Sequence, residues 1–305
     1  MTGSQVAAAV KFERREVWTR EELKQYPLLQ DLVAEPGQVD RGVFADAIAE
    51  DVEQMLDLMP HLAKASDGKL RRVAREVAGR LVVRFAEAAG GASSGEGKWR
   101  AARWTPGAEV DLEAVLEELL IARSLGEPLD IEHLQARSWQ RRATAVCLVV
   151  DNSGSMGASR LSAAAIATAA LAMRAPSDFS VIAVADRALV LKTQGSTRPV
   201  DKIVDDLFGL RSYGWTNLAL GLTAARIQLA RSSAHRKMTI VLTDGQANRG
   251  TDPADEAARL DQVHVIVPGT PNDQVRAIAA AGRGRVVAFS GLKEAPRVIS
   301  GLLSA

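Results

Sequence analysis

The chain has 305 residues, 47% hydrophobic and 25% charged, with a formal net charge of +1. That balance describes a globular protein of one large or two ordinary domains and gives no support to nucleic-acid or membrane-surface binding. One cysteine, Cys147, excludes a disulfide scaffold within a single chain and suits a reducing, cytoplasmic compartment.

In chain order, Met1 to Val10 lacks the basic start and apolar core of a secretory signal. No run approaches the roughly 20 apolar residues of a membrane span. The first 140 or so residues read as helical. Trp18 to Leu32 suggests a short helix capped by Thr19, with Glu21 and Glu22 in its first turn. Val43, Ala47, Ile48, Val52, Met55, Leu56 and Met59 recur at helical spacing, and Pro60 is expected to end that helix. A second long helix is expected from Lys69 to Ala89, with Leu70, Val73, Val77, Leu81 and Phe85 on its apolar face. Arg72, Arg75 and Arg84 fall largely off that stripe and read as a solvated face, with a specific acidic partner as the alternative.

The Gly- and Ser-rich segment 90–97 reads as a linker. Its Gly97-Lys98 ending fails as a phosphate loop, because Trp99 stands where Ser or Thr is needed and a helix precedes it. A third helix is expected over Asp111–Ser124, closed by Gly126 and Pro128.

From about residue 138 the pattern becomes alternating strand and helix. Strands are expected near Ala143–Val150, Phe179–Ala185, Ala188–Lys192, Met238–Thr243, Val263–Val267 and Arg285–Phe289, with helices between. This predicts an α/β fold with a doubly wound, mostly parallel sheet. Asp186-Arg187 is too short for a crossover, so Ala188–Lys192 must pair antiparallel at an edge. The expected division is a helical region over 1–137 and an α/β domain over 138–305. If the strand order is 3-2-1-4-5-6, the ends of the first and fourth strands meet at a ligand crevice.

Chemistry concentrates at those two ends. Asp151-Asn152-Ser153-Gly154-Ser155 directly follows the apolar strand, Thr216 precedes a helical pattern, and Asp244-Gly245 follows the fourth strand. All are oxygen donors, which suits a hard cation such as Mg²⁺ or Mn²⁺ and poorly suits zinc or copper. Taken singly, the hydroxyls read as helix caps and Asp244-Gly245 as a turn. Asp151 after a strand also suggests a HAD-like phosphotransferase, but Ser153 occupies the position of the expected second carboxylate. Serine hydrolysis is weaker still, since Ser155 lacks the Gly-x-Ser-x-Gly setting and nothing in the spacing ties His235 or His264 to it.

The order Asp-x-Ser-x-Ser, Thr, Asp resembles the von Willebrand factor A (VWA) domain with its metal-ion-dependent adhesion site (MIDAS). The resemblance implies a Rossmann-like sheet in which Ser153, Ser155 and Thr216 touch the ion. It implies that Asp151 and Asp244 act through water, and that a partner's Asp or Glu completes the shell. Trp215, Tyr213 and Met156 are then expected at the rim of the metal face, Trp215 and Met156 reading alternatively as core. A structural VWA domain without a working metal is the remaining alternative. Upstream, Gly107, Asp111-Leu112, Gly126-Glu127-Pro128-Leu129 and Arg141-Arg142 look like the CoxE-like bacterial VWA proteins. That narrower resemblance implies a MoxR-type AAA+ ATPase partner in the remodelling or maturation of a client protein, and no enzyme activity of the chain itself.

Overall fold

The computed structural model describes residues 17–33, 35, 39–90, 97–103, 115–116, 119–120, 123–124, 126, 135–141, 144–152, 158–174, 178–210, 215–247 and 249–304. The described residues fall into two compact units, one formed by the segments up to residue 90 together with 144–303, the other lying within 93–143.

In the larger unit, helix α1 (Arg20–Leu23) is capped by Thr19, whose hydroxyl accepts from the Glu22 amide while the Glu22 carboxylate accepts from the Thr19 amide. It is much shorter than the apolar pattern suggests, and Pro27 opens a separate 3₁₀ turn over Pro27–Leu29. The next apolar run also divides, into α2 (Arg41–Glu50) and α3 (Val52–Leu62). Asp51 makes the break: its backbone is extended and its carboxylate accepts from the Glu53 and Gln54 amides. Pro60 lies inside α3 rather than ending it. Helix α4 (Gly68–Gly90) starts at Asp67, whose carboxylate accepts from the Lys69 and Leu70 amides. The same carboxylate pairs with Arg20 at 2.5 Å, so one half-buried acid both starts α4 and ties α1 to it.

The α/β part runs β3 (Thr144–Asp151), α5 (Ala158–Arg174), β4 (Phe179–Val184), β5 (Ala188–Lys192), α6 (Val200–Gly209), α7 (Leu218–Leu229), β6 (Arg236–Leu242), α8 (Pro253–Ala257), β7 (Val263–Pro268), α9 (Asp273–Ala281), β8 (Val286–Phe289) and α10 (Ala295–Ser304). The sheet order is β5-β4-β3-β6-β7-β8. All pairs are parallel except β4–β5. This is the anticipated doubly wound sheet with one antiparallel edge strand, in the 3-2-1-4-5-6 order. The direction of winding changes between β3 and β6.

Alternation along β3 sorts the core into two faces. Val146, Leu148 and Val150 pack with α5, α6 and α10, whereas Ala145, Cys147 and Val149 pack with α7, α8 and α9. The first face extends outward without interruption. Residues of α3 and α4 share its apolar cluster, α3 lying against α5 and α4 against both α5 and α6. A buried Ser162 hydroxyl on α5 donates to the Leu56 carbonyl of α3 at 2.7 Å. Helices α4 and α6 approach so closely at Gly79 that a Cβ there would lie 2.6 Å from that of Asp201.

The second unit corrects the all-helical reading of the first 140 residues. Strands β1 (Gly97–Arg103) and β2 (Gln135–Arg141) pair antiparallel, with Trp99 opposite Trp139. Local pattern does not reveal them, because each strand finds its partner across a long intervening stretch of chain. Of the expected helix Asp111–Ser124, residues 115–116, 119–120 and 123–124 are helical, and the remainder lie outside the described residues.

Burial on α3 pushes the Asp57 carboxyl up to about 6 from 3.8, and the neighbouring carboxylates of Glu53 and Asp51 add to the shift. Above pH 6 this acid is ionised in both the folded and unfolded chain, and the folded state carries the whole penalty. Below about pH 4 it is protonated in both, and the penalty is gone. Asp57→Asn should therefore stabilise the protein by about 1–2 kcal/mol at pH 7, with the gain disappearing as pH falls from 6 toward 4. Urea titrations across that range check the sign, and a gain that grows on acidification would contradict it.

Candidate functional site

The two strands flanking the winding change supply the site. Asp151 is the last residue of β3, and β6 runs out into Thr243 and Asp244. Alternation along β3 directs Asp151 to the α7 side, where the segment entering α7 brings in Thr216. Asp151, Thr216 and Thr243 are all fully buried. Such a carboxylate needs strong hydrogen bonds or a cation to offset its lost hydration.

Thr243 provides the shortest of the hydrogen bonds resolved here. Its hydroxyl donates to Asp151 Oδ2 at 2.6 Å and accepts from the Gly245 amide at 3.0 Å. That amide leaves the hydroxyl proton only one useful direction, so the carboxylate is fixed by a relay from the turn after β6. Thr216 donates to Asp151 Oδ1 at 3.4 Å, too long to be strong. Thr216 sits one residue before the helix cap proper: Asn217 caps α7, accepting from the Leu220 amide at 3.0 Å. Its hydroxyl is thus not consumed in capping and is directed to the carboxylate.

The loops are tied together through their backbones. The Asn152 amide donates to Val184 O, the Asn217 amide to Ala185 O, and the Arg249 amide to Thr216 O. Asp244 is half-buried, and its Oδ1 accepts from the Gln246 amide at 3.1 Å. The turn reading of Asp244-Gly245 is thus correct locally and compatible with a site role. Gly245 has φ +76°, and a Cβ there would lie 2.4 Å from Val275 Cγ1 and 2.7 Å from Asn272 Oδ1. Only glycine fits. Asn272, the cap of α9, donates to the Asp244 and Gly245 carbonyls and so holds this turn from the far side.

Of the expected site residues, Asp151 and Thr216 are brought into contact, and Asp244 stands next to Thr243, which bonds Asp151. Ser153, Ser155, Met156 and Tyr213 lie outside the described residues. Trp215 is 55% exposed, with the Arg249 guanidinium 5.5 Å from its ring centre. Its ring does not fold into the core. Thr243 was not expected: at a strand end a β-branched threonine reads as a strand former, and the clue was only its position before Asp244.

His264 belongs elsewhere. It lies near the start of β7, at the opposite end of the sheet from Asp151, fully buried, with Nδ1 accepting from the Arg285 amide. Burial and the nearby Arg236 and Arg285 hold it neutral, pulling its pKa down to about 4. It cannot serve a nucleophile at the carboxyl ends of the strands. Cys147 is equally internal, its thiol pushed up to about 12 by burial.

A doubly wound sheet with hydroxyls and carboxylates at its switch point defines an α/β domain of the open-sheet class, in which ligands bind at that crevice. Residues 146–246 match the model of the von Willebrand factor type A domain. No curated protein matches the chain. Among solved structures, proximal thread matrix protein 1 of the mussel byssus aligns at 20% identity, over 53% of this chain and 45% of that one, with a TM-score of 0.45. BatB from Bacteroides thetaiotaomicron aligns at 20% identity over 53% and 97%, with a TM-score of 0.43. A von Willebrand factor type A protein from Catenulispora acidiphila aligns at 18% identity over 56% and 43%, with a TM-score of 0.42. This chain therefore spans less than half the length of the mussel and Catenulispora proteins. No helix among the described residues is long and apolar enough to cross a membrane.

The two hydroxyl bonds predict an order of importance. Thr243→Val should destabilise the protein by about 1–3 kcal/mol, since it leaves a buried carboxylate oxygen and the Gly245 amide with one partner fewer. Thr216→Val, removing the longer bond, should cost less. Urea unfolding of both variants checks this, and the reverse ranking would contradict the relay.

Proposed function

We propose that the chain is a non-enzymatic, cytoplasmic adaptor that uses a divalent cation to capture an acidic side chain of a partner protein. The observation that carries this reading is the buried Asp151 carboxylate, bonded at the switch point to Thr216 and to Thr243, which directly precedes Asp244. The donors are oxygens only, and they fit Mg²⁺ or Mn²⁺. On this reading Ser153, Ser155 and Thr216 hold the ion directly, while Asp151 and Asp244 hold it through water. The ion would supply an electrophilic position open to one more oxygen ligand, because the nearest donors are neutral hydroxyls.

The chain's own residues divide the remaining work. Asp151 supplies the negative charge, Thr243 and Gly245 orient it, and Asn272 steadies the turn that carries Asp244. Exposed Trp215 offers an indole to a partner at the rim, with Tyr213 and Met156 assigned beside it. The CoxE-like pattern upstream of β3 supports a MoxR-type AAA+ ATPase as the partner, the pair acting on a client protein. That last step rests on the resemblance and not on a contact residue.

Co-purification with a MoxR-type ATPase in Mg²⁺ and in EDTA tests the reading. Asp244→Ala and Thr216→Ala should abolish recovery of the ATPase while leaving the protein folded by circular dichroism, and EDTA should do the same to the wild type. Undiminished recovery would remove the bridging role. Metal-dependent hydrolysis of phosphate esters lost in Asp151→Asn would favour a phosphotransferase instead.

A further inference from the structure

A second surface lies well away from this chemistry in the chain, along α4. Between α4 and α6 runs a groove of about 650 Å³, lined along α4 from Gly68 to Arg80. Arg71, Arg72, Arg75 and Arg80 of α4 and Lys202 of α6 supply five cations. The acids lining it are Glu76, Asp201 and Asp205, leaving two positive charges in excess. For a chain whose whole net charge is +1, this is a local concentration.

Two of the three acids are already paired. Asp205 pairs with Arg75 at 3.3 Å, and Glu76 pairs with Arg41 of α2 at 2.9 Å. Asp201 sits in the first turn of α6, where the helix dipole favours it. Two of the cations are held from below: Arg71 donates to Ala65 O at 2.8 Å, and Arg75 to Ala63 O at 3.3 Å, both at the end of α3. Arg72 and Lys202 are exposed and pair with no acid among the described residues. The groove is therefore a built cationic surface with part of its charge unspent.

Its shape selects among anions. Among the described residues no aromatic or branched aliphatic side chain lines it, so a nucleobase or lipid chain would find little to pack against. From Gly68 to Arg80 the helix rises about 18 Å, which matches an extended peptide of roughly five or six residues. Charged heads spaced along that length fit side chains that repeat along a strand. We propose that this groove docks an acidic, extended segment of a partner protein, independently of the metal-dependent capture at Asp151. The rigid crossing at Gly79 and Asp201 keeps the two walls in register.

The test uses the full chain in EDTA, so that it stands or falls apart from the metal reading. The probe is a fluorescein-labelled hexapeptide of alternating Glu and Asp, followed by anisotropy at low ionic strength. Saturable binding that weakens with added salt is expected. Arg72→Glu and Lys202→Glu should each weaken it about five- to tenfold, as charge reversals at a steered interface do. Arg84→Glu, exposed on the same helix outside the groove, should leave it unchanged. The neutral variants Arg72→Gln and Lys202→Gln should show the same direction with a smaller loss, and circular dichroism melts verify that all variants fold. Absence of binding, or an equal loss in Arg84→Glu, would overturn the proposal. Tighter binding of inorganic tripolyphosphate at the same residues would assign the groove to a phosphate-bearing ligand instead.

Discussion

A fully buried carboxylate at the end of the central strand is the constraint from which the rest follows. Placing Asp151 there costs hydration, and the fold answers with hydroxyl groups from two separate stretches of chain. Neither threonine can be positioned until β3, β6 and the segment entering α7 have assembled. The site is therefore a product of the whole sheet and cannot form from a local motif. The sequence places oxygen donors at strand ends, and the strand order brings those ends together.

The N-terminal helices act on the same construction from behind. Helix α5 follows the Asp-x-Ser-x-Ser segment, and its buried face lies against the sheet while α3 and α4 cover its other side. The Ser162 bond to Leu56 and the Lys293–Glu53 pair at 2.9 Å tie α3 to the α/β part at two points. An element gripped on both sides shifts little when a neighbouring loop engages a ligand. Such a platform suits capture by a preformed site better than capture by a large rearrangement.

Much of the α/β part was legible because its signals are local. Short apolar runs gave the strands, helical periodicity gave the intervening helices, and the two-residue Asp186-Arg187 link required the antiparallel edge. The strand ends at Asp151 and Asp244 followed from the same runs. What was not legible depends on partners distant in sequence. The β1–β2 pairing joins strands separated by residues 104–134, and the alternation Lys98-Trp99-Arg100-Ala101 breaks at Ala102, too short to announce it. The break between α2 and α3 hides because the apolar spacing continues across Asp51, whose extended backbone and capping carboxylate make the interruption. Thr243 hides for the opposite reason: its type suits a strand so well that a second role leaves no mark. The basic faces of α4 were visible as charges off the apolar stripe, but the α6 wall that turns some of them into a groove was not.

The central claim is that Asp151 is buried in order to organise a hard-cation site. Electron paramagnetic resonance of Mn²⁺ titrated into the full chain tests it most directly. The account predicts that the wild type sequesters Mn²⁺, that Mg²⁺ displaces it, and that Asp151→Asn, nearly identical in shape, loses this binding while remaining folded. Equal retention of Mn²⁺ by the wild type and Asp151→Asn, or no retention by the wild type, would contradict it.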